Sequence, residues 1–298
     1  MLPSLAAFTL LCCPSTPAQS VGVETAHALH IASVADAQSA FFVGTAVCLN
    51  DPTRRRFDCF RELLQDYHQA VRLANAQLRE RLRVVRLLPP GPYAPMLDPA
   101  KLSTKITNRF LPWKPGRTLV YKARDGKEVE TTRITVSDKT TMVGDYECVT
   151  VRDVVSVDGE VHEDTIDWYA QDQAGNVWYL GEIAKNYEDG LLDNLDGSWR
   201  IGKDGAKPGI LMLAQPKVGV TYREEFLPNE AEDLATVVSL NETVTVPAGT
   251  FRGCVQTRNF TPIEPGVEER KFYAPGIGVV LTVGPTGKRT ELVQIIDP

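Results

Sequence analysis

The sequence predicts a mainly β protein: a duplicated antiparallel curled sheet forming a barrel or sandwich, preceded by an N-terminal amphipathic helix. Three observations carry this expectation. From about residue 100 onward, short runs rich in Val, Thr and Tyr alternate with turn pairs such as Asp125-Gly126, Asp158-Gly159 and Asp189-Gly190, the punctuation of tight hairpins. Within that region three sequence landmarks recur in the same order in its two halves. Between Phe57 and Leu88, by contrast, apolar residues recur at spacings of three and four, the period of one helix face.

The chain has 298 residues, 43% hydrophobic and 23% charged, the balance of a folded protein with a sizeable core. Its formal net charge of -6 argues against a general nucleic-acid binder, which needs a basic surface. No run of about 18 uninterrupted apolar residues occurs, which argues against a multispanning membrane protein and for no integral span.

At the N-terminus, Leu5 to Cys13 is a short apolar run, followed by Pro14, Ser15 and Pro17 and the small residues Ala18 and Ser20. That order is the one of a secretory signal and its cleavage region, so residues 1–20 are expected to be a signal segment and the protein secreted, periplasmic or in the cell envelope. No Lys or Arg precedes Arg54. The positive start of a signal is therefore missing, and an apolar segment packed on the domain is the alternative. Cys12-Cys13 after Leu10-Leu11 is a poor match to a lipid-modified cysteine.

Residues 21–88 are expected to be helical. Phe60, Leu64, Tyr67, Val71, Ala74, Leu78, Leu82 and Val85 form the apolar face of the helix over 57–88, with Arg61, Arg72, Arg79, Arg81, Arg83 and Arg86 opposite. Nine arginines against four acidic residues make Arg54–Leu88 basic. Such a helix either docks on the acidic remainder of the chain or on an anionic surface, or presents a solvated face. Cys48 and Cys59 flank the break at Asp51-Pro52-Thr53, which allows a local bridge in an exported chain; two buried thiols are the other choice. Leu88-Pro89-Pro90-Gly91-Pro92 ends the helix, and residues 89–110 read as a linker.

The β-domain covers 111–298, with repeats at about 111–185 and 213–283. Lys114-Pro115-Gly116-Arg117-Thr118 matches Lys217-Val218-Gly219-Val220-Thr221. Val143 to Val149, with Cys148, matches Ala248 to Val255, with Cys254, and Trp168-Tyr169-Ala170 matches Phe272-Tyr273-Ala274. A curled meander cannot cover both faces of its sheet, so two such units would close on a shared core. Cys148 and Cys254 at matching places suit buried thiols better than a bridge.

The stretch Val246-Pro247-Ala248-Gly249-Thr250-Phe251, then Cys254, then Tyr273-Ala274-Pro275-Gly276-Ile277-Gly278-Val279-Val280, resembles a signature of exported bacterial β-rich proteins of unassigned function. Asp167 to Asp172, with Gly175 to Tyr179, is similar to the same group, and the likeness covers about residues 97–298. The resemblance implies a secreted or envelope protein with a curled sheet like that of lipoprotein carriers. It implies no catalytic residue, and the irregular export signal departs from it.

The chain carries no phosphate-binding loop, dinucleotide fingerprint or paired CxxC motif, and no cofactor is expected. The only histidine after residue 89 is His162, beside Glu163 and Asp164, where a polar turn or strand edge is the ordinary reading. The densest polar-aromatic stretch is Asp164 to Glu182. On an extended strand Asp164, Ile166, Trp168 and Ala170 share one face, and Thr165, Asp167, Tyr169 and Gln171 the other. Asp164, Asp167, Tyr169 and Glu182 are the candidate catalytic groups, since a Tyr beside a desolvated carboxylate can move protons. Trp168, Trp178, Tyr179 and Trp199 are the candidate ligand-binding aromatics, with cross-strand packing as the competing explanation. Glu230, Glu232 and Asp233, near Glu224-Glu225, are weak candidates for a metal such as calcium, and a solvated acidic loop is the better account of them. The segment Gly197 to Ile210 reads as a mobile lid or as the connection between repeats.

The expectation is thus an exported binding or structural β-domain that holds a small apolar, amphipathic or lipid-like ligand, or a partner. The alternative is a cofactor-free lyase, isomerase or hydrolase working by Asp/Glu and Tyr acid–base chemistry.

Overall fold

The computed structural model describes residues 19–298. The run Leu5–Cys13, the Cys12-Cys13 pair and Ala18 therefore lie outside the described residues. Helices α1 (Gln19–Asn50) and α2 (Arg56–Leu87) come first. The turn between them is fixed by Asp51 Oδ1, which accepts hydrogen bonds from the Thr53 amide at 2.8 Å and its hydroxyl at 2.6 Å. Cys48 and Cys59 form a disulfide across it. Helix α1 has the length and composition of a membrane-crossing helix. A search for uninterrupted apolar runs misses it because His, Ser, Thr and Gln punctuate the sequence.

Helix α2 docks on the acidic segment before residue 234. Arg81 donates to Glu232 from Nε at 3.0 Å and from Nη2 at 2.7 Å, and both side chains are buried. Gln77 Nε2 donates to the Ile263 carbonyl at 2.9 Å, and Val84 packs with Leu234 and Phe260. Leu64, on the expected apolar face, is exposed.

The strands that follow are β1 (Leu102–Ser103), β2 (Thr118–Asp125), β3 (Glu128–Val143), β4 (Tyr146–Val157), β5 (Glu160–Asp172) and β6 (Val177–Glu188). Next come β7 (Leu191–Asn194), β8 (Trp199–Arg200), β9 (Lys207–Met212), β10 (Thr221–Arg223) and β11 (Glu225–Phe226). The chain ends with β12 (Leu234–Val246), β13 (Gly249–Phe260), β14 (Glu268–Ala274), β15 (Gly278–Val283) and β16 (Arg289–Ile296). Hydrogen bonding runs β10-β12-β13-β14-β15-β16-β2-β3-β4-β5-β6-β9-β11, a path of 13 strands paired antiparallel. The outermost two, β10 and β11, are separated in sequence by Glu224 alone. One stretch of chain thus pairs with β12 on one side and with β9 on the other, and the sheet comes back on itself as a nearly closed barrel.

The seam is tight. A Cβ on Gly209 would lie 2.1 Å from the Glu224 carbonyl carbon, so β9 approaches the switching strand as closely as it does only because residue 209 has no side chain. Gly197 to Ile210, expected as a lid or connector, instead supplies β8 and the start of β9 to the sheet wall.

One face of every long strand points into the barrel. Its lower part is filled by Leu111, Trp113, Leu119, Tyr169, Val255, Tyr273 and Leu292, all buried. Ile106 to Trp113, expected at the end of a linker, enters the barrel as a floor. Buried Asn108 anchors that floor: its Nδ2 donates to the Gly175 carbonyl at 2.8 Å, and its Oδ1 accepts from the Phe110 amide at 2.9 Å. A smaller outward cluster of Val143, Cys148, Trp168, Ala170 and Leu180 packs with Leu102. Cys148 and Cys254 are both buried free thiols.

The landmarks that recur in sequence sit in matching local geometry. The Gly116 amide bonds the Val136 carbonyl at 2.9 Å and the Gly219 amide bonds the Val237 carbonyl at 2.9 Å. Thr118 pairs with Thr135 through their hydroxyls at 3.0 Å, and Thr221 with Thr236 at 2.9 Å. Val149 stands opposite Tyr169, and Val255 opposite Tyr273.

Gly209→Ala is expected to destabilise the protein by about 3 kcal/mol or more, the scale of overpacking against unyielding backbone. Urea unfolding followed by tryptophan fluorescence measures it; a change below about 0.5 kcal/mol would show that the seam is slack.

Candidate functional site

The upper part of the barrel interior is polar. Strand β5 sends Thr165, Asp167 and Tyr169 inward and Asp164, Ile166 and Trp168 outward, the division that strand alternation predicts. Strand β6 breaks that alternation. Its pairing with β5 shifts between Trp168 and Tyr169, so Tyr169 faces Tyr179 while Asp167 faces Glu182. The bulge lies at Leu180-Gly181 and turns Tyr179 and Glu182 to the same face, which strict alternation would have separated. Gly181, at φ +143°, has no room for a Cβ, which would fall 2.5 Å from the Trp199 carbonyl oxygen.

The resulting cluster is compact. Tyr179 Oη donates to Asp167 Oδ1 at 2.5 Å. The Tyr169 and Tyr179 rings stack with centroids 4.8 Å apart, Trp113 lies 5.7 Å beyond Tyr169, and Trp199 meets Tyr179 edge-on at 5.2 Å. The opposite wall brings Asn259, whose Nδ2 donates to Glu224 Oε2 at 2.7 Å, and Thr257, whose hydroxyl donates to Asn259 Oδ1 at 2.6 Å. Lys271 stands opposite Thr257, and Glu269 opposite Asn259.

Exposure rises along β14. Tyr273 is 1% exposed, whereas the Lys271 and Glu269 side chains are 31% and 42% exposed. Part of the Lys271 side chain is therefore uncovered, on the side toward Glu269. Among the described residues Asp153 Oδ1, Glu224 Oε1 and Glu225 Oε2 are buried without a hydrogen-bond partner in good geometry.

The electrostatics follow from crowding carboxylates out of water. Burial raises Asp167 well above the usual carboxylate range, against the hydrogen bonds from Tyr179 and Tyr169. Burial and then the charge of Asp167 raise Glu182. These two cannot both ionise readily, and both are pushed toward the neutral form. Burial and Asp167 raise Asp153, and burial and Asp233 raise Glu225. Burial pushes Glu224 up to about 7, with Lys271 and Asn259 opposing. Burial disfavours the Lys271 ammonium, but Glu224, Tyr273, Glu269 and Asp233 outweigh it and keep the amine charged. The tyrosines at 121, 169, 179, 222 and 273 are all raised by burial and stay protonated.

Of the sequence candidates, Asp167, Tyr169, Glu182, Tyr179 and Trp199 converge here. Asp164 does not: it lies on the outward face of β5, bonded by Arg152 at 2.7 and 3.0 Å, which holds it below the usual range. Trp168 packs in the outward cluster, and Trp178 donates its Nε1 to Asp172 at 2.9 Å, away from the lumen. Glu230 is exposed, Glu232 is taken by Arg81, and only Asp233 acts on the lumen. These three do not gather, and among the described residues no group of three or more His, Cys, Asp or Glu is placed to hold a metal ion. His162 is exposed. Sequence reasoning missed Asp153, Glu224, Glu225 and Lys271 as lumen residues. Alternation carried a usable signal for two of them: Asp153 follows Val149 and Val151 by steps of two, and Lys271 precedes Tyr273 by two.

No family model, curated protein or solved structure matches this chain.

The lumen carboxylates bind protons more tightly in the folded chain than in the unfolded one. Stability is therefore fully present below about pH 4.5, the ordinary glutamate value, and is lost as pH rises through about 7, where Glu224 titrates. The unfolding free energy is expected to be on the order of 2 kcal/mol lower at pH 8 than at pH 5. Glu224→Gln should flatten that slope in urea titrations at several pH values, and an unchanged slope would remove Glu224 as its source.

Proposed function

We propose that the chain is an exported ligand-binding β-barrel, and that the lumen takes a small amphipathic molecule. Its flat or apolar end would lie on the Trp113–Tyr169–Tyr179–Trp199 series, and its head, a cation or hydrogen-bond donor, would meet the carboxylates above. The observation that carries this reading is the pair of buried carboxylate oxygens Asp153 Oδ1 and Glu224 Oε1, left without a hydrogen-bond partner among the described residues. Buried acceptors left open are costly, and a donor-bearing ligand removes the cost. Export is supported by the Cys48–Cys59 disulfide and the apolar α1, both at home in an oxidising compartment or at a membrane. The matching turns at Gly116 and Gly219, with the matching registers at Val149 and Val255, support descent of the two sheet halves from one duplicated unit.

A second reading, cofactor-free acid–base catalysis, is favoured by one arrangement. Asp167 and Glu182 face each other across β5 and β6, and Tyr179 donates to Asp167 at 2.5 Å. One carboxyl of such a pair can accept a proton while the other gives one up.

The test is calorimetric titration with tryptamine, which carries an aromatic plane and one ammonium, against the neutral 3-ethylindole. Tryptamine is expected to bind at least tenfold more tightly, and Glu224→Gln should weaken it by a comparable factor while leaving the fold intact by circular dichroism. Equal binding of the two probes, or no effect of the substitution, would remove the lumen carboxylates as a recognition element. Turnover lost in both Asp167→Asn and Tyr179→Phe, with stability retained, would select the catalytic reading.

A further inference from the structure

A half-open pocket lies outside the barrel, where the helical hairpin meets the sheet seam. The cavity measures about 340 Å³, within the roughly 300–1,000 Å³ range of small-molecule sites. Its walls come from the start of α1, the end of α2, the Pro-rich stretch after Leu88, and the outer faces of β6, β9 and β10. Leu29, Val84, Tyr93, Ile210 and Phe226 make it mainly apolar.

Two arginines break that apolar lining. Arg81, 5% exposed, gives Nε and Nη2 to Glu232, Asn229 also accepts from Nη2, and Nη1 is left without a partner. Arg223 forms no ion pair among the described residues. Its guanidinium lies 4.3 Å from the Phe226 ring centroid and 5.5 Å from that of Tyr93, and its buried Nε and Nη1 have no partner among the described residues. Glu232, the carboxylate that acts on Arg223, is already engaged by Arg81. Two guanidiniums therefore share one carboxylate, and among the described residues one positive charge is left unbalanced in a mainly apolar pocket. An isolated buried charge is among the most expensive features a fold can carry. Guanidinium N–H groups at adjacent positions match the two oxygens of a carboxylate.

We propose that this cavity is a binding site for a single-chain amphiphile ending in a carboxylate, a fatty acid in chemical class, with its head on the free N–H groups of Arg223 and Arg81 and its chain among the apolar walls. The excess of a single positive charge selects a monoanion. The site is separate from the lumen and does not depend on the reading proposed for it.

Isothermal titration of the full chain with dodecanoate, below its micellar concentration, tests the proposal against dodecanol and dodecyltrimethylammonium. One dodecanoate is expected to bind per chain, at least tenfold more tightly than either comparison molecule. Arg223→Gln should weaken dodecanoate at least tenfold and leave dodecanol unaltered. Thr25→Trp, which fills the cavity from a partly exposed position on α1, should abolish binding without altering the circular dichroism spectrum, and serves where Arg223→Gln fails to fold. Glu224→Gln, in the lumen, should leave dodecanoate affinity unchanged. The proposal is overturned if dodecanoate does not bind, if dodecanol binds as well, or if Thr25→Trp binds as the parent does.

Discussion

The constraint on which the molecule depends is that Thr221–Phe226 serves as both edges of one sheet. A sheet with two free edges would expose unpaired backbone groups on each. Here the strand pairs with β12 through its first half and with β9 through its second, and a single residue makes the change. The approach this demands explains why position 209 is glycine. Along the strand Tyr222 and Glu224 face the interior and Arg223 faces the helical hairpin, the alternation of an ordinary strand.

Closure also sets the chemistry of the interior. A closed sheet encloses every inward side chain in a low-dielectric space, where ionised carboxylates are strongly disfavoured unless paired. This barrel encloses several and supplies Lys271 as the cation that acts on three of them, Asp153, Glu224 and Asp233. Burial pushes the remaining carboxyls, Asp167, Glu182 and Glu225, toward the neutral form. An all-apolar lumen would be the more stable construction, so the polar upper part is the place where stability has been given up, as is usual at functional sites. The filled floor beneath it, with Trp113 on Tyr169, keeps the polar groups in fixed positions.

The hairpin is bound to the barrel by a contrast of charge and by a narrow apolar contact. Arg81 meets Glu232 with most of its donors satisfied, and Val84 reaches Leu234 and Phe260. The other arginines of α2 contribute little to docking; Arg83, for example, lies 3.6 Å from Glu268 at the surface, where a pair is worth a fraction of a kcal/mol to about 1 kcal/mol. The buried Arg81 pair is thus the specific contact, and its removal would leave Glu232 and Arg223 to face each other alone.

Local signals in the sequence determined the parts of this protein that local physics governs. Helical spacing gave α2 almost residue for residue, Asp-Gly pairs marked the hairpins after β2, β4 and β6, and strand alternation divided Asp167 and Tyr169 from Asp164 and Trp168. The Cys48–Cys59 bridge stood in the sequence as one of two choices, because its turn is local, and the structure selects it. Tertiary structure decided what alternation cannot see. The bulge at Gly181 put Glu182 beside Asp167 with Tyr179, the edge switch at Glu224 brought the sheet back on itself, and Ile106–Trp113 became a floor rather than a linker. Each of these is set by contacts between segments far apart in the chain, where a shift of one residue reverses the direction of a side chain. A pattern of residue types carries the period of a strand, but not the place where its pairing slips.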